Sequence, residues 1–173
     1  MMKRLLFLCG PNGIGKTTIC NAILSQLSRS AYVDSDACRM MNPFVLDDET
    51  IPTIAKNIAD LIENYAACSA VETILFSYGF HGRRREVFAQ VMERVEALDL
   101  RFVPLLLCCD EDENLRRMRQ DGRSEARIRT ALEQSRRSFD GVDYPTLDIT
   151  HLTAETAAER IMQLLKEDPL CDT

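Results

Sequence analysis

The sequence predicts a three-layer α/β/α sandwich around a parallel sheet of five strands. Short apolar runs alternate with helical patterns along the whole chain, and a glycine-rich turn follows the first apolar run. Strands that alternate with helices pair in parallel through right-handed crossovers, which cover both faces of the sheet with helices. A chain of 173 residues is long enough to bury one sizeable core. We therefore expect a single α/β domain over residues 1–173.

Five apolar runs have the length and composition of strands. They are residues 5–9, 31–34, 71–76, 102–109 and 146–149. The first is wholly apolar, as expected for a buried parallel strand, and the fourth keeps that character despite Pro104 near its start. Ligands of such sheets bind at the carboxyl ends of the strands. The residues that follow these runs are therefore the candidates for function.

Each gap between the predicted strands has the pattern of a helix. Apolar residues recur at helical spacing in 16–29, 51–65, 87–98 and 158–165, and an arginine-rich stretch at 115–137 is helical in pattern. We expect that stretch to break at Asp121-Gly122. Acidic residues at 47–49 precede the second helix, where they favour the positive end of its dipole, and Thr153 is the predicted N-cap of the last helix.

The composition argues against several classes of protein. A formal charge of −6 argues against general binding to nucleic acid or to an anionic membrane. The sequence has no apolar run of 18 residues, so we expect no membrane-spanning helix. Seven scattered cysteines without a CxxC pair, together with only two histidines, form no zinc pattern and are typical of a reduced, cytoplasmic protein.

The strongest motif is GPNGIGKT at residues 10–17, which matches G-x-x-x-x-G-K-[ST] between a predicted strand and a predicted helix. Its glycines allow positive φ, so successive N–H groups can turn toward a phosphate, and the helix adds its positive end. Lys16 is expected to reach the β- and γ-phosphates of ATP, and Thr17 to bind Mg²⁺. The expected nucleotide-binding residues are Gly10, Asn12, Gly13, Ile14, Gly15, Lys16, Thr17 and Thr18.

A D-x-D sequence after the second strand favours a kinase among proteins with this loop. Asp34 and Asp36 would place two carboxylates beside the phosphates, where one can hold Mg²⁺ and the other can orient or deprotonate an acceptor hydroxyl. We assign Asp36 to the metal and Asp34 to the catalytic base and the acceptor. Arg39, one turn further on, is a candidate acceptor contact. The alternative is a solvated turn with an Asp as a helix N-cap.

The arginine-rich stretch is the second feature that favours a kinase. Arg119 and Arg123 flank the expected break, where a mobile lid could bring guanidinium groups to the γ-phosphoryl group. We take both as candidate catalytic residues. The alternative is a solvated helix face whose arginines pair with neighbouring acids.

An ATPase of the AAA+ kind is the main competitor. The fourth apolar run ends in Asp110-Glu111, the pattern that such ATPases use for Mg²⁺ and water activation. Too little chain follows for a helical second domain, so we favour a core strand followed by an acidic helix start. A GTPase is not expected because the sequence has no N-K-x-D signature.

GPNGIGKTT, DSDACR and the L-x-x-x-R-x-x-x-R run from Leu115 to Arg123 resemble small P-loop kinases of the nucleoside/nucleotide-kinase-like group. This group includes shikimate kinase, gluconate kinase, chloramphenicol phosphotransferase, adenylate kinase and bacterial AAA-type kinase relatives. The resemblance implies a P-loop NTPase fold with strand order 2-3-1-4-5, an acceptor-binding helical segment at about 42–69 and a short lid at about 112–126.

The chain departs from that pattern at Ser77, because many relatives have an acidic Mg²⁺ residue at the end of the third strand. Asp36 would then carry more of the metal role, or Asp110 would help. The following loop, YGFHGRRR at 78–85, is either an acceptor-binding loop or a solvated helix start. Arg83 is its predicted acceptor contact, and His81 is interpreted as a loop residue.

These features together predict an ATP- and Mg²⁺-dependent kinase that acts on a hydroxyl or phosphate group of a small molecule. Two other functions stay open: a P-loop ATPase module that couples hydrolysis to a partner, and a nucleotide-binding protein without catalysis, which Ser77 suggests. A polynucleotide kinase is disfavoured by the acidic balance of the chain.

Overall fold

The computed structural model describes residues 2–167, and these form five strands and six α-helices in the predicted alternation. The strands are β1 (Lys3–Cys9), β2 (Ser30–Asp34), β3 (Thr73–Tyr78), β4 (Leu100–Cys108) and β5 (Thr146–Asp148). The helices are α1 (Lys16–Gln26), α2 (Thr50–Ala67), α3 (Arg84–Val95), α4 (Glu111–Gln120), α5 (Glu125–Thr130) and α6 (Ala154–Glu167). Short 3₁₀ turns at Ala37–Arg39 and Arg137–Phe139 and a π-helical turn at Ala131–Ser135 complete the described chain.

The five strands form one parallel sheet in the order β2-β3-β1-β4-β5. This confirms the fold class and the strand order that the resemblance implied. β1 is central and lies between β3 and β4, and the register pairs Asp34 with Ser77 and Ser77 with Leu8. The carboxyl ends of β1, β2 and β3 therefore meet at one edge of the sheet.

Two apolar clusters cover the two faces of the sheet. Leu5, Phe7 and Cys9 of β1 belong to the cluster that packs against α2 and α3. Leu6 and Leu8 belong to the cluster that packs against α1 and α6. This alternation follows from the two-residue repeat of a strand, and both sets are buried because helices lie on both faces.

An aromatic cluster ties the segment after β3 to the segment after the π-helical turn. Phe7 stacks on Phe88 and Phe102, with ring centroids 4.9 and 5.6 Å apart. Phe80 contacts Phe88 at 4.9 Å and stacks on Phe139 at 5.2 Å. Buried aromatic pairs of this kind stabilise beyond their area alone. They fix two loops that border the same edge of the sheet.

Two boundaries differ from the sequence prediction in ways that affect the site. β3 continues to Tyr78, so Ser77 lies within the strand and Gly79 is the first residue beyond it. The arginine-rich stretch begins as a helix at Glu111, four residues before the predicted start, and breaks after Gln120 as expected. Thr153 is confirmed as a cap, because its Oγ1 accepts a hydrogen bond of 3.2 Å from Thr156 N.

Within residues 2–167, none of the helices combines the length and the apolar character that crossing a bilayer requires.

Candidate functional site

The phosphate loop joins β1 to α1 in the conformation that its glycines allow. Gly13 and Gly15 have φ values of 79° and 102°, which side chains other than glycine rarely adopt. Lys16 Nζ donates to the carbonyl oxygens of Gly10 at 2.7 Å and Pro11 at 2.9 Å. Burial lowers the pKa of Lys16 to about 8, and the charge of Asp36 opposes that shift. The ammonium group is thus held against the loop that it would serve.

Helix α4 supports the loop from behind. Asn114 is fully buried, and its Nδ2 donates to Asn12 O at 3.1 Å. Arg117 Nη1 donates to Ile14 O at 2.9 Å, and its Nη2 donates to Ile149 O at 2.7 Å. A Cβ at Gly13 would lie 2.2 Å from Met118 Cγ. The first part of the segment expected to form a lid is therefore packed onto the loop.

A cavity of about 790 Å³ opens between the loop, the carboxyl ends of β2 and β3, and the segment from α5 to the π-helical turn. Its wall is strongly charged. Five cationic side chains line it, namely Lys16, Arg39, Arg84, Arg123 and Arg127, together with the carboxylates of Asp34, Asp36 and Asp121. The cavity is cationic overall, although the chain is acidic, and it suits anionic ligands.

Asp34 is the carboxylate that lies beside Thr17. Thr17 Oγ1 donates to Asp34 Oδ2 at 3.4 Å, whereas Asp34 Oδ1 accepts from Asp36 N at 2.8 Å. Neighbouring ligands of an octahedral Mg²⁺ ion lie roughly 3 Å apart. The two oxygens of Thr17 and Asp34 fit such an ion with a small adjustment.

Asp36 instead faces two arginines. Its Oδ1 accepts from Arg39 Nε at 3.1 Å and lies 3.7 Å from Arg84 Nη1. Burial alone would raise the pKa of Asp36, but Arg39, Arg84 and Lys16 together lower it below its usual range. From the sequence we expect Asp36 to bind the metal and Asp34 to act as the base. In the structure, Asp34 is the carboxylate that contacts Thr17.

The structure brings some of the predicted arginines to the cavity and leaves others outside. Arg39 and Arg123 line it, and Arg123 also pairs with Asp121 at 3.3 Å. Arg119 is 58% exposed on α4, pairs with Glu125 at 3.4 Å and does not line the cavity. Arg83 pairs with Asp48 and Glu86 on the surface, and its neighbour Arg84 faces the cavity in its place.

Several cavity residues were missed from the sequence. Arg84 was hidden within a run of three arginines, because which of them faces inward depends on where α3 begins. Ser135 gave no signal, yet its Oγ accepts a hydrogen bond of 2.8 Å from Asn12 N. Arg127 belongs to the arginine-rich stretch. Its place in the cavity wall was not predictable, because it depends on the break between α4 and α5.

Ser77 occupies the place where many relatives carry an acid. Its hydroxyl is buried and pairs with Tyr32 Oη at 2.7 Å, so a neutral pair stands at this position. Asp110, the other residue considered for the metal, is an exposed residue at the start of α4 and does not line the cavity. The structure therefore provides no second carboxylate near Thr17 from either strand that flanks β1.

A second cavity of about 500 Å³ adjoins the loop on its other side. It shares Gly13, Gly15, Thr18 and Asp121 with the first cavity and is otherwise lined by Ile19, by α4 and by residues 150–154. Glu113, Arg116, Arg117 and Gln120 of α4 supply much of its polar wall. The phosphate loop thus lies between two pockets, and both are lined by charges of both signs.

Comparison with known proteins identifies the family. The family described as AAA domain (AAA_18) matches residues 6–139. A tunicamycin resistance protein from Deinococcus radiodurans is similar with a TM-score of 0.68 and 17% identity, over 94% of this chain and 95% of that one. Shikimate kinase from Acinetobacter baumannii, solved with shikimate, is similar with a TM-score of 0.62 and 19% identity, over 97% of this chain and 96% of that one. None of the curated proteins compared with the sequence matches it.

A gluconokinase from Sinorhizobium meliloti is also similar, with a TM-score of 0.59 and 16% identity over 97% of this chain and 98% of that one. At these identities the likeness shows the fold. The family model covers most of the chain, so it shows the family, which the individual structures do not. The chain therefore belongs to the AAA_18 family, and it has the fold of small P-loop kinases.

Proposed function

We propose that this protein is an ATP- and Mg²⁺-dependent kinase that transfers the γ-phosphoryl group to a hydroxyl or phosphate group of a small molecule. One observation carries the proposal: the phosphate loop, the D-x-D carboxylates and four arginines from three separate segments face one cavity of about 790 Å³. A volume of this order suits a small ligand beside the phosphates of a nucleotide. Phosphoryl transfer needs little beyond such positioning and charge stabilisation.

The loop and the two pockets suggest how ATP would bind. The N–H groups of the loop and the start of α1 would bind its phosphates, with Lys16 reaching the terminal ones. The smaller cavity shares Gly13, Gly15 and Thr18 with the larger one, so it would take the nucleoside. The acceptor would then lie in the larger cavity, on the side of β2 and β3.

The spacing of Thr17 and Asp34 supports a Mg²⁺ site formed by these two residues. When bound there, Mg²⁺ would neutralise the negative charge of the phosphates. Because Asp34 is then engaged, Asp36 becomes the better partner for the acceptor. Its low pKa keeps it ionised, so it would orient the acceptor hydroxyl by accepting a hydrogen bond from it.

Arg123 and Arg127 would serve the transferred group from the opposite wall. Both line the cavity on the side of α5, away from the arginines that face Asp36. Guanidinium groups in such a place stabilise the charge that spreads over the γ-phosphoryl oxygens. Arg123 therefore keeps the role predicted from the sequence.

ADP release from ATP and Mg²⁺ tests the proposal. The assay compares no acceptor with a panel of sugar acids, shikimate, nucleosides, nucleotides and hydroxylated antibiotics. We expect at least one acceptor to stimulate release, and Lys16→Ala to lower that release by about 100-fold or more. The mutant should fold normally, because the ammonium group contacts only two carbonyls of its own loop.

Two results would contradict the proposal. Rapid release that no acceptor changes would indicate an ATPase module. Tight ATP binding without release under any condition would indicate a nucleotide-binding protein.

A further inference from the structure

Arg84 is a half-buried cation whose hydrogen-bonding capacity is not used by the described residues. Its side chain is only 15% exposed, and its nearest carboxylate contact is Asp36 Oδ1 at 3.7 Å. Among residues 2–167 its guanidinium group donates no hydrogen bond, while Asp36 is already bound by Arg39. A guanidinium group has five N–H donors, and removing them from water without partners costs free energy.

His81 leaves a second polar atom without a partner at the same place. Its Nδ1 is buried and makes no hydrogen bond with any described residue, and its Nε2 lies 3.5 Å from Asn12 Nδ2. Burial and the charges of Arg84 and Arg39 lower the pKa of His81 to about 4. The ring is therefore neutral near pH 7, and in the tautomer with the proton on Nδ1 this atom is a free donor.

Gly79 leaves open the space between these groups. A Cβ at this position would lie 3.7 Å from Asn12 Oδ1, 3.7 Å from His81 Nδ1 and 3.8 Å from Arg84 Nη1. Gly79 is not one of the glycines with positive φ, so the backbone conformation does not demand glycine here. The missing side chain instead leaves a space that polar atoms surround, at the carboxyl end of β3 and beside Asp36.

We propose that Gly79, His81 and Arg84 form an anion-binding niche for the acceptor, and that the acceptor carries a carboxylate or phosphate group in addition to the group that is phosphorylated. This inference rests on the proposed function, since it concerns the same cavity. Arg84 supplies a planar pair of donors that suits either anion, and His81 Nδ1 supplies a third. Asp36, next to the niche, repels a second anion and leaves room for a hydroxyl group.

The test uses acceptor pairs that differ only in an anionic group. Gluconate is compared with sorbitol and shikimate with its methyl ester for the carboxylate, and glucose 6-phosphate is compared with glucose for the phosphate. Each is assayed by ADP release and, separately, by calorimetric binding to protein saturated with Mg²⁺ and a non-hydrolysable ATP analogue. Loading the nucleotide site prevents the probe from binding to the phosphate loop.

Arg84→Gln is the test variant and Arg83→Gln is its matched control. Arg83 is adjacent in sequence and has the same chemistry, but it pairs with Asp48 and Glu86 outside the cavity. We expect Arg84→Gln to weaken binding of the anionic member at least about tenfold, to raise its KM correspondingly, and to leave the KM for ATP unchanged. Arg83→Gln should change none of these. Arg84→Lys keeps the charge but loses the planar fork, so its affinity for the anionic member should lie between those of Arg84→Gln and Arg83→Gln.

Thermal melting shows whether Arg84→Gln folds. If it does not, His81→Phe, which removes the ring donor, takes its place with the same expectation of weaker anion binding. If the neutral members of the pairs bind and react as well as the anionic ones, the proposal of an anion-binding niche is wrong, while the proposed kinase function still holds. A rise in the KM for ATP instead of the acceptor would also overturn the niche. So would a failure of every anionic member to bind the nucleotide-loaded protein. Acceptor-independent ADP release would contradict the kinase itself.

Discussion

The two sides of the phosphate loop differ in how their polar groups are satisfied. Behind the loop, Asn114 and Arg117 donate to the carbonyls of Asn12 and Ile14. In front of it, the half-buried guanidinium group of Arg84 lies 3.7 Å from Asp36 without a hydrogen bond to any described residue, and the buried His81 Nδ1 has no partner there either. Side chains of α4 thus hold the backbone of the loop on one side, where Asn114 Oδ1 is left as an acceptor without a partner among the described residues. The other side retains free donors.

This difference indicates that the two halves of the site are prepared to different degrees. A loop whose backbone is already held by a packed helix loses little freedom when phosphates bind. Unpaired polar groups cost stability until a ligand meets them. The proposed nucleotide half, which is the phosphate loop with α4 behind it, is therefore formed in advance. The proposed acceptor half, around His81 and Arg84, depends on its ligand for completion.

The largest expected effect compares the two arginines that flank the break between α4 and α5. Arg123 lines the cavity and Arg119 is exposed outside it. We expect Arg123→Ala to lower kcat about 100-fold through lost charge stabilisation, and Arg119→Ala to change kcat less than about twofold because an exposed ion pair contributes little. Steady-state ADP release with the best acceptor measures both. Equal losses would mean that the outer face of α4 reaches the phosphates during turnover.

A methyl group at Gly13 would break the support behind the loop. Gly13→Ala drives a Cβ into Met118 at a residue with positive φ, so we expect it to lower the free energy of unfolding by about 3 kcal/mol. Gly82 also has positive φ, but nothing lies within 4 Å of its Cβ position. Gly82→Ala should therefore cost only about 1 kcal/mol. Urea unfolding compares them, and similar losses would show that contact with α4 does not constrain the loop.

The pH dependence of nucleotide affinity sharpens the description of the nucleotide half. Lys16 has a pKa of about 8 in the free protein because it is buried, whereas bound phosphates would favour its charged form. Above pH 8 binding must therefore take up a proton, and we expect the affinity for ADP to fall by up to about tenfold between pH 8 and 9. Below pH 7 Lys16 is charged in the free and the bound protein, so its titration should no longer change the affinity.

Lys16→Met is the control for this measurement, since it cannot titrate and should lose the slope. His81, with a pKa of about 4, does not change its charge in this range. Calorimetry at pH 6.5, 8 and 9 measures the effect. A wild-type affinity that is constant across the range would contradict the assignment of Lys16 to the phosphates.

The smallest expected effect concerns Ser77, which lines the larger cavity near the end of β3. Ser77→Ala removes the hydroxyl that pairs with Tyr32 and should lower the free energy of unfolding by about 1 kcal/mol. Because Thr17 and Asp34 suffice for the proposed metal site, the Mg²⁺ concentration needed for half-maximal activity should change less than about threefold. A titration with Mg²⁺ measures this. A tenfold increase would place the Ser77 hydroxyl in the metal site.

The sequence was sufficient to predict the fold because its evidence is local. Strand and helix periodicities are each contained in one short stretch, and the phosphate loop is one contiguous segment with strict residue requirements. The strand order is not a local property. It came from the resemblance to kinases and not from the pattern of β1 to β5.

The acceptor half was less predictable because distant segments form it. The difference between Arg83 and Arg84 is about 100° of rotation on a helix, and it depends on α3 beginning at Arg84. Asp34 and Asp36 are equivalent in a D-x-D pattern. Only the turn in which Asp36 N bonds to Asp34 Oδ1 decides which carboxylate lies beside Thr17.

The aromatic cluster behind the niche has an optical consequence. The chain has no tryptophan and four tyrosines, so tyrosine is its dominant near-ultraviolet fluorophore. Tyr78 lines the cavity and packs on Phe80, and the hydroxyl of Tyr32 reaches the same wall through Ser77. Burial raises the pKa of both, so neither ionises near neutral pH. Occupation of the cavity would alter half of the fluorophores, which makes unlabelled protein its own reporter of ligand binding.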